Sequence, residues 1–276
     1  MWGPINIPKF VLAVACSLSV SATVPACAED LTIIYKVTDR VGGLSAKYMS
    51  SMRTRQDHGP HTISSGQVVG PYTNIVDMVL GKYVTIDHQK KEYCEDTPQE
   101  LEAAARLAKQ KLEKTRAKRK ETYAKMGKEP PPFPSDARES ASLEKLPDQR
   151  TIAGYNCEHY VITLTHSFDG KIASVATYNY WVAPDLRDPS RAASDSFVPQ
   201  EKGLASEYFR VAREMEGKGL PLAWTMTAPG IETSSEAIEV KKGSIDPSVF
   251  SVPAGYNRVE SPAARSIRED GIPGTK

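Results

Sequence analysis

The chain has 276 residues, a formal charge of +1, 25% charged residues and 40% hydrophobic residues. That balance is ordinary for a globular protein, so it excludes a disordered or fibrous chain and gives the molecule as a whole no electrostatic reason to bind nucleic acid. The length suffices for one continuous core, and a single domain over residues 29–260 is expected.

The N-terminus carries one lysine (Lys9), an apolar run from Phe10 to Val24, and Ala26-Cys27-Ala28 ahead of Glu29-Asp30. This is the layout of a secretory signal peptide over residues 1–28, with a small-x-small cleavage site. The apolar run of about 15 residues is short of the roughly 20 that a membrane-spanning helix needs. The chain is therefore expected to be exported. Val24-Pro25-Ala26-Cys27 loosely resembles a lipobox, in which Cys27 would be lipidated and would anchor the domain to a membrane, although Pro25 fits that pattern badly.

Period-two alternation then predicts strands. Leu31, Ile33, Tyr35 and Val37 share one face, and similar segments follow at about 45–57, 61–69, 73–80 and 82–88. Gly42-Gly43, His58-Gly59-Pro60, Gly70-Pro71 and Gly81 separate them as the turns of an antiparallel meander.

At Thr97-Pro98-Gln99-Glu100 a capping box with proline at the first helical position opens a helix that runs to about Met126. Leu101, Ala105, Ala108 and Leu112 supply an apolar stripe in its first half. Its second half is basic, with Arg116, Lys118, Arg119, Lys120 and Lys125, and is expected to protrude into solvent. An anionic membrane surface is the partner weighed for residues 114–128. Nucleic acid is not expected, because Tyr123 alone does not supply the aromatic interleaving of single-strand binders. Residues 127–149 are Pro- and Ser-rich and read as a linker, so that 98–149 forms a helical and Pro-rich insertion.

Strand patterning resumes through Tyr155–Thr165 and Ile172–Val182 as a hairpin turned at Asp169-Gly170. Leu204, Tyr208, Val211, Ala212 and Met215 recur at helical spacing, marking an amphipathic helix that covers one face of the sheet. Two strands, Pro221–Thr227 and Thr233–Lys241, precede the closing segment, and residues 261–276 read as a disordered tail.

Cys94 and Cys157 remain after signal cleavage, and in an oxidising compartment they are a candidate disulfide. Closing that loop of about 64 residues would contribute roughly 4 kcal/mol at most. Two buried free thiols are the alternative.

Catalytic patterns are weak. His58-Gly59-Pro60-His61 has a metal-like spacing but lies on a turn with only Asp57 nearby, and Ser142-Leu143-Glu144-Lys145 places a Ser-x-x-Lys in a charged linker. No catalytic residue, metal site or cofactor is expected, and the chain reads as a non-enzyme, with an unrecognised hydrolase as a lesser possibility.

Four blocks carry a family resemblance: Gly81-Lys82-Tyr83-Val84-Thr85-Ile86-Asp87-His88 continuing to Tyr93; Ile152-Ala153-Gly154-Tyr155-Asn156-Cys157-Glu158; Gly219-Leu220-Pro221-Leu222; and Phe250-Ser251-Val252-Pro253-Ala254-Gly255-Tyr256. In this order they resemble an exported bacterial family of unknown function that is similar to the LolA, LolB and RseB superfamily of periplasmic lipoprotein carriers and sensors. The resemblance implies an α+β fold. It would be a strongly curved antiparallel sheet forming an unclosed half-barrel, with helices on the concave side around an apolar hollow, in a periplasmic protein. By alternation, the inner-face candidates are Tyr160, Ile162, Leu164, Tyr178, Tyr180, Leu222, Trp224 and Met226. The function expected is non-enzymatic binding of a lipid or an acylated protein in that hollow. The alternative is an envelope interaction or sensor protein with a solid core that acts through its basic helix.

Overall fold

The computed structural model describes residues 29–38, 42–62, 68–130, 138–168, 170–191 and 206–270. The leader over residues 1–28, with Cys27, lies outside the described residues, as do Leu204 and residues 271–276.

The first half of the chain forms β1 (Leu31–Thr38), β2 (Gly43–Met49), β3 (Arg53–His58), β4 (His61–Thr62), β5 (Val68–Val69), β6 (Tyr72–Asp77), β7 (Lys82–Asp87) and β8 (Glu92–Asp96). Helix α1 (Pro98–Lys125) follows, then β9 (Arg138–Ile152), β10 (Tyr155–Phe168), β11 (Lys171–Ala183) and α2 (Ser206–Glu216). The chain closes with β12 (Leu220–Ala228), β13 (Ile231–Lys242), a 3-10 turn at Pro247–Phe250, β14 (Asn257–Arg258) and α3 (Pro262–Asp270). Twelve strands form one unclosed curved sheet in the order β14-β8-β7-β6-β3-β2-β1-β13-β12-β11-β10-β9, while β4 and β5 pair separately. Neighbours in the large sheet are antiparallel except β14, which runs parallel to β8.

The predicted strand 45–57 is two strands, because Ser50 turns the chain and its side chain accepts the Arg53 backbone N–H. The predicted linker 127–149 is largely β9, whose residues 138–152 pair with β10 over nearly its whole length. Little in this polar segment favours a strand, and the long ladder offered by β10 overrides that local preference. Pro147 is accommodated where the ladder slips between the Lys145–Tyr160 and Gln149–Glu158 pairs, on an edge strand where its missing N–H costs no ladder bond. Ala153 and Gly154, with φ of 47° and 86°, then make the tight two-residue turn into β10.

Three apolar clusters hold the sheet. At one end Leu31, Ile33 and Met49 pack with Ile152, Cys157, Leu186, Leu220 and Leu222. Along the concave face Tyr160, Ile162 and Val182 pack beneath Val211 and Met215 of α2. On the opposite face Ile75, Val84 and Ile86 lie under Phe250, Val252 and Tyr256 of the closing segment. A hydrogen-bond chain fastens that segment. The Thr73 hydroxyl donates to Asp57 Oδ1 at 2.5 Å, so His88 Nε2 must be the donor in its 2.8 Å contact with Thr73. His88 Nδ1 then accepts from the Tyr256 hydroxyl at 2.9 Å.

Helix α1 starts where the capping box places it: Thr97 Oγ1 accepts from the Glu100 N–H at 3.2 Å, and Glu100 Oε2 accepts from the Thr97 N–H at 2.7 Å. It packs against α3, so residues 262–270 of the segment read as a disordered tail are helical. Ser261 caps α3 by accepting the Ala264 N–H and also donates to the Asp96 carboxylate. Leu107 is the buried residue of α1, whereas Ala108 of the predicted stripe is exposed. From Lys114 onward the helix surface is mostly exposed.

The candidate disulfide does not form. Cys94 on β8 and Cys157 on β10 are free, with eight strands between theirs in the sheet order. A disulfide requires Cα atoms within about 7 Å, which strands fixed in separate ladders do not provide here. Burial pushes the Cys157 thiol up to about 11 and also raises that of Cys94, so both stay protonated and unreactive. Reductant should therefore leave the thermal unfolding midpoint unchanged, and a thiol reagent should reach Cys157 only after unfolding. A midpoint that falls on reduction would contradict the free thiols.

Gly219 lets α2 return to the sheet: a Cβ there would lie 2.3 Å from the Ala183 carbonyl oxygen, a backbone atom with no room to give. Gly219→Ala should cost about 1–3 kcal/mol in urea unfolding, as overpacking does. A neutral result would show that the β11 end shifts freely.

Candidate functional site

The ladders define the concave face. Tyr35 and Val37 of β1 lie opposite Ser45 and Gly43 of β2, and Lys47 lies opposite Gln56 of β3. Across the other flank Trp224 pairs with Ser235 and Tyr180, and Met226 with Thr233 and Tyr178. Tyr180 and Tyr178 pair in turn with Tyr160 and Ile162 of β10. Seven of the eight residues singled out by alternation thus belong to this one face, whereas Leu222 is the extra residue at the slip between the Trp181–Ala223 and Val182–Pro221 pairs.

Helix α2 divides that face. Over β9–β11 it makes a solid core, with Tyr208, Val211, Ala212 and Met215 set on Tyr160, Ile162, Tyr178 and Tyr180. Tyr180 Oη meets Tyr208 Oη at 2.7 Å, and Glu139 of β9 accepts the Tyr208 backbone N–H at 3.0 Å. Beyond the helix the described residues leave the trough open, and a cavity of about 850 Å³ lies between β1–β3 and β11–β13. Of the eight candidates, Tyr180, Trp224 and Met226 line it. Tyr160, Ile162 and Tyr178 are covered by α2, Leu222 is in the end cluster, and Leu164 is buried outside the cavity wall.

Residues that the alternation did not single out complete the cavity. Lys47, Gln56 and Thr54 stand on its floor, and Asp188, Ser190 and Arg191 reach in from the segment after β11. Asp188 Oδ1 accepts the Ser190 N–H at 2.8 Å and the Ser190 hydroxyl at 2.5 Å, while Oδ2 faces Lys47 Nζ at 3.5 Å. His58 stacks on Tyr72 at 4.3 Å at the mouth of the cavity, so this imidazole belongs to the wall. Ser142 and Lys145 sit on β9, and Lys145 bonds Glu158 at 2.8 Å. That ion pair keeps Lys145 charged, which opposes a role as catalytic base. Lys47 and Gln56 were hidden because polar residues at inward positions break the apolar pattern. Asp188 lies in an irregular stretch with no sequence signal.

Two tyrosines link this geometry to pH. Burial, with Asp188 nearby, raises the Tyr35 phenol well above its ordinary value, and burial, with Tyr208 beside it, does the same for Tyr180. Because the folded state holds both protons that the unfolded chain gives up, stability is intact below about pH 10 and falls as pH rises past it. Urea midpoints measured from neutral to alkaline pH should decline above that point, and Tyr180→Phe should flatten the decline. An equal slope in Tyr180→Phe would remove Tyr180 from this account.

Residues 125–256, from the end of α1 through the closing segment, match a family model described as Domain of unknown function (DUF4412). The match spans β9 to β13 and the closing segment that covers the opposite face. No curated protein matches the chain.

Proposed function

We propose that this chain is a non-enzymatic, periplasmic binding protein of LolA-like architecture that holds a lipid or the acyl chain of a protein in the hollow of its curved sheet. The observation that carries this reading is the unfilled half of the trough. A cavity of about 850 Å³, walled by Tyr35, Val37, Tyr180, Trp224 and Met226, lies next to a half that α2 packs solid. Its size is within the range of about 300–1,000 Å³ usual for small-molecule sites, and a few polar groups amid aromatic walls are typical of them. An apolar occupant would bury the rings and Met226 that the helix leaves uncovered.

Burying each acyl methylene is worth about 0.8 kcal/mol, close to fourfold in affinity. Titration calorimetry with fatty acids of increasing length should show affinity rising steeply until the cavity is full. Trp224→Ala should lower it for every chain long enough to reach that wall. Affinity that is flat with chain length would defeat the reading.

A further inference from the structure

We propose that the chain pairs with a second copy of itself along β9, in an antiparallel two-fold ladder centred on Ser142 that joins two sheets edge to edge. The two edges of the twelve-stranded sheet differ. At one, β14 adds a two-residue strand to β8 and the Val259 N–H donates to the Tyr93 carbonyl, so the closing segment covers that edge. At the other, β9 has a single ladder partner, β10. Every second residue of an edge strand turns its N–H and C=O away from the sheet, which is a template for another strand. Among the described residues, no hydrogen bond from outside the β9–β10 ladder reaches the backbone of residues 139–146. Pro147 and the slip beside it interrupt the far half of the strand, whereas residues 138–146 form a regular ladder without proline. No residue of β9 lines the hollow, so this surface is independent of what the hollow holds.

The partner is a second copy because this half of β9 complements itself. Ser142 is the midpoint of residues 138–146, and a two-fold axis through it, perpendicular to the sheet, uses the whole proline-free run. It sets Ser142 opposite its own copy, Ala141 opposite Leu143, Ser140 opposite Glu144, Glu139 opposite Lys145 and Arg138 opposite Leu146, each pair except the central one occurring twice. The faces match as well. Glu139, Ala141, Leu143 and Lys145 lie on the inner face, level with His166, Leu164, Ile162 and Tyr160 of β10, while Ser140, Ser142 and Glu144 lie on the outer face. No like charges meet, the small Ala141 meets the larger Leu143, and opposite charges meet at both Glu139–Lys145 pairs. Glu139 already accepts the Tyr208 N–H and Lys145 already bonds Glu158, so pairing adds a neighbour to charges that are compensated in the single chain and leaves none of them unpaired. Helix α2 stands on the inner face of β9–β11, and the two-fold returns the second α2 to the same side of the joined sheet, away from the seam.

The test is sedimentation equilibrium of the wild type and Ser142→Lys, together with disulfide trapping of Ser142→Cys and Ser140→Cys. The wild type should show a monomer–dimer equilibrium. Ser142→Lys, which sets two lysines face to face on the axis, should weaken it about tenfold or more. On oxidation Ser142→Cys should give a covalent dimer, because directly opposite residues of an antiparallel pair have Cα atoms about 4.5–5.5 Å apart, within disulfide reach. Ser140→Cys should not, since its own copy lies roughly 14 Å away, four residues along the ladder. The native cysteines contribute the same background to both variants. A wild type that is still monomeric at about 1 mM overturns the proposal. So does a dimer in which Ser140→Cys cross-links as readily as Ser142→Cys, which would put the contact on another surface or in another register. The trapping comparison decides the matter even if Ser142→Lys does not fold.

Discussion

The length of helix α2 relative to the width of the trough governs the rest of the structure. Eleven residues rise about 16 Å, and strands lie about 4.8 Å apart, so one such helix covers only three or four strands of a twelve-stranded sheet. It is pinned at one flank by Glu139, Tyr180 and the apolar floor of β9–β11. Among the described residues no second helix covers the other flank. Its rings and aliphatic groups then border open space in place of packed core, and the Lys47–Asp188 pair keeps partial access to water there.

The four sequence blocks behind the family resemblance are two packing contacts. The block 81–93 supplies Val84, Ile86 and Tyr93, which meet Phe250, Val252 and Tyr256 of the last block on the face opposite the hollow. The blocks 152–158 and 219–222 meet in the end cluster through Ile152, Cys157, Leu220 and Leu222. These residues close the two places where a curved sheet would otherwise expose apolar surface. They hold the hollow's shape, and of the four blocks only 219–222 borders the hollow itself, through Gly219, Leu220 and Pro221, so a likeness in these blocks speaks mainly to architecture.

The C-terminal segment acts as a strap. It crosses the second face, adds β14 beside β8, and then runs α3 along α1, with Ser261 tied to Asp96 at the start of both helices. Arg55 bonds the Val249 carbonyl at 2.6 Å and the Asp57 carboxylate at 2.8 Å, so the polar chain from Asp57 to Tyr256 is anchored at both ends. Such a part-buried network is most stable when each member is satisfied, and here each of these hydrogen bonds has a defined acceptor. No residue of α1 is among those that line the hollow.

Local chemistry made much of this legible without coordinates. The capping box at Thr97 set the start of α1, Asp169-Gly170 marked a hairpin, and alternation gathered Tyr160 to Met226 onto one face, because turn geometry and strand period are properties of a few consecutive residues. Strand β9 escaped, since its polar sequence is held extended by β10 and has little strand preference of its own. The fate of each inward residue was decided only in three dimensions. Ile162 and Trp224 share a face and a pattern, yet one lies under a helix and the other borders a cavity, because which strands α2 reaches depends on the loops and contacts that place it. The meeting of Lys47 with Asp188, 141 residues away, likewise exists only because the sheet curls.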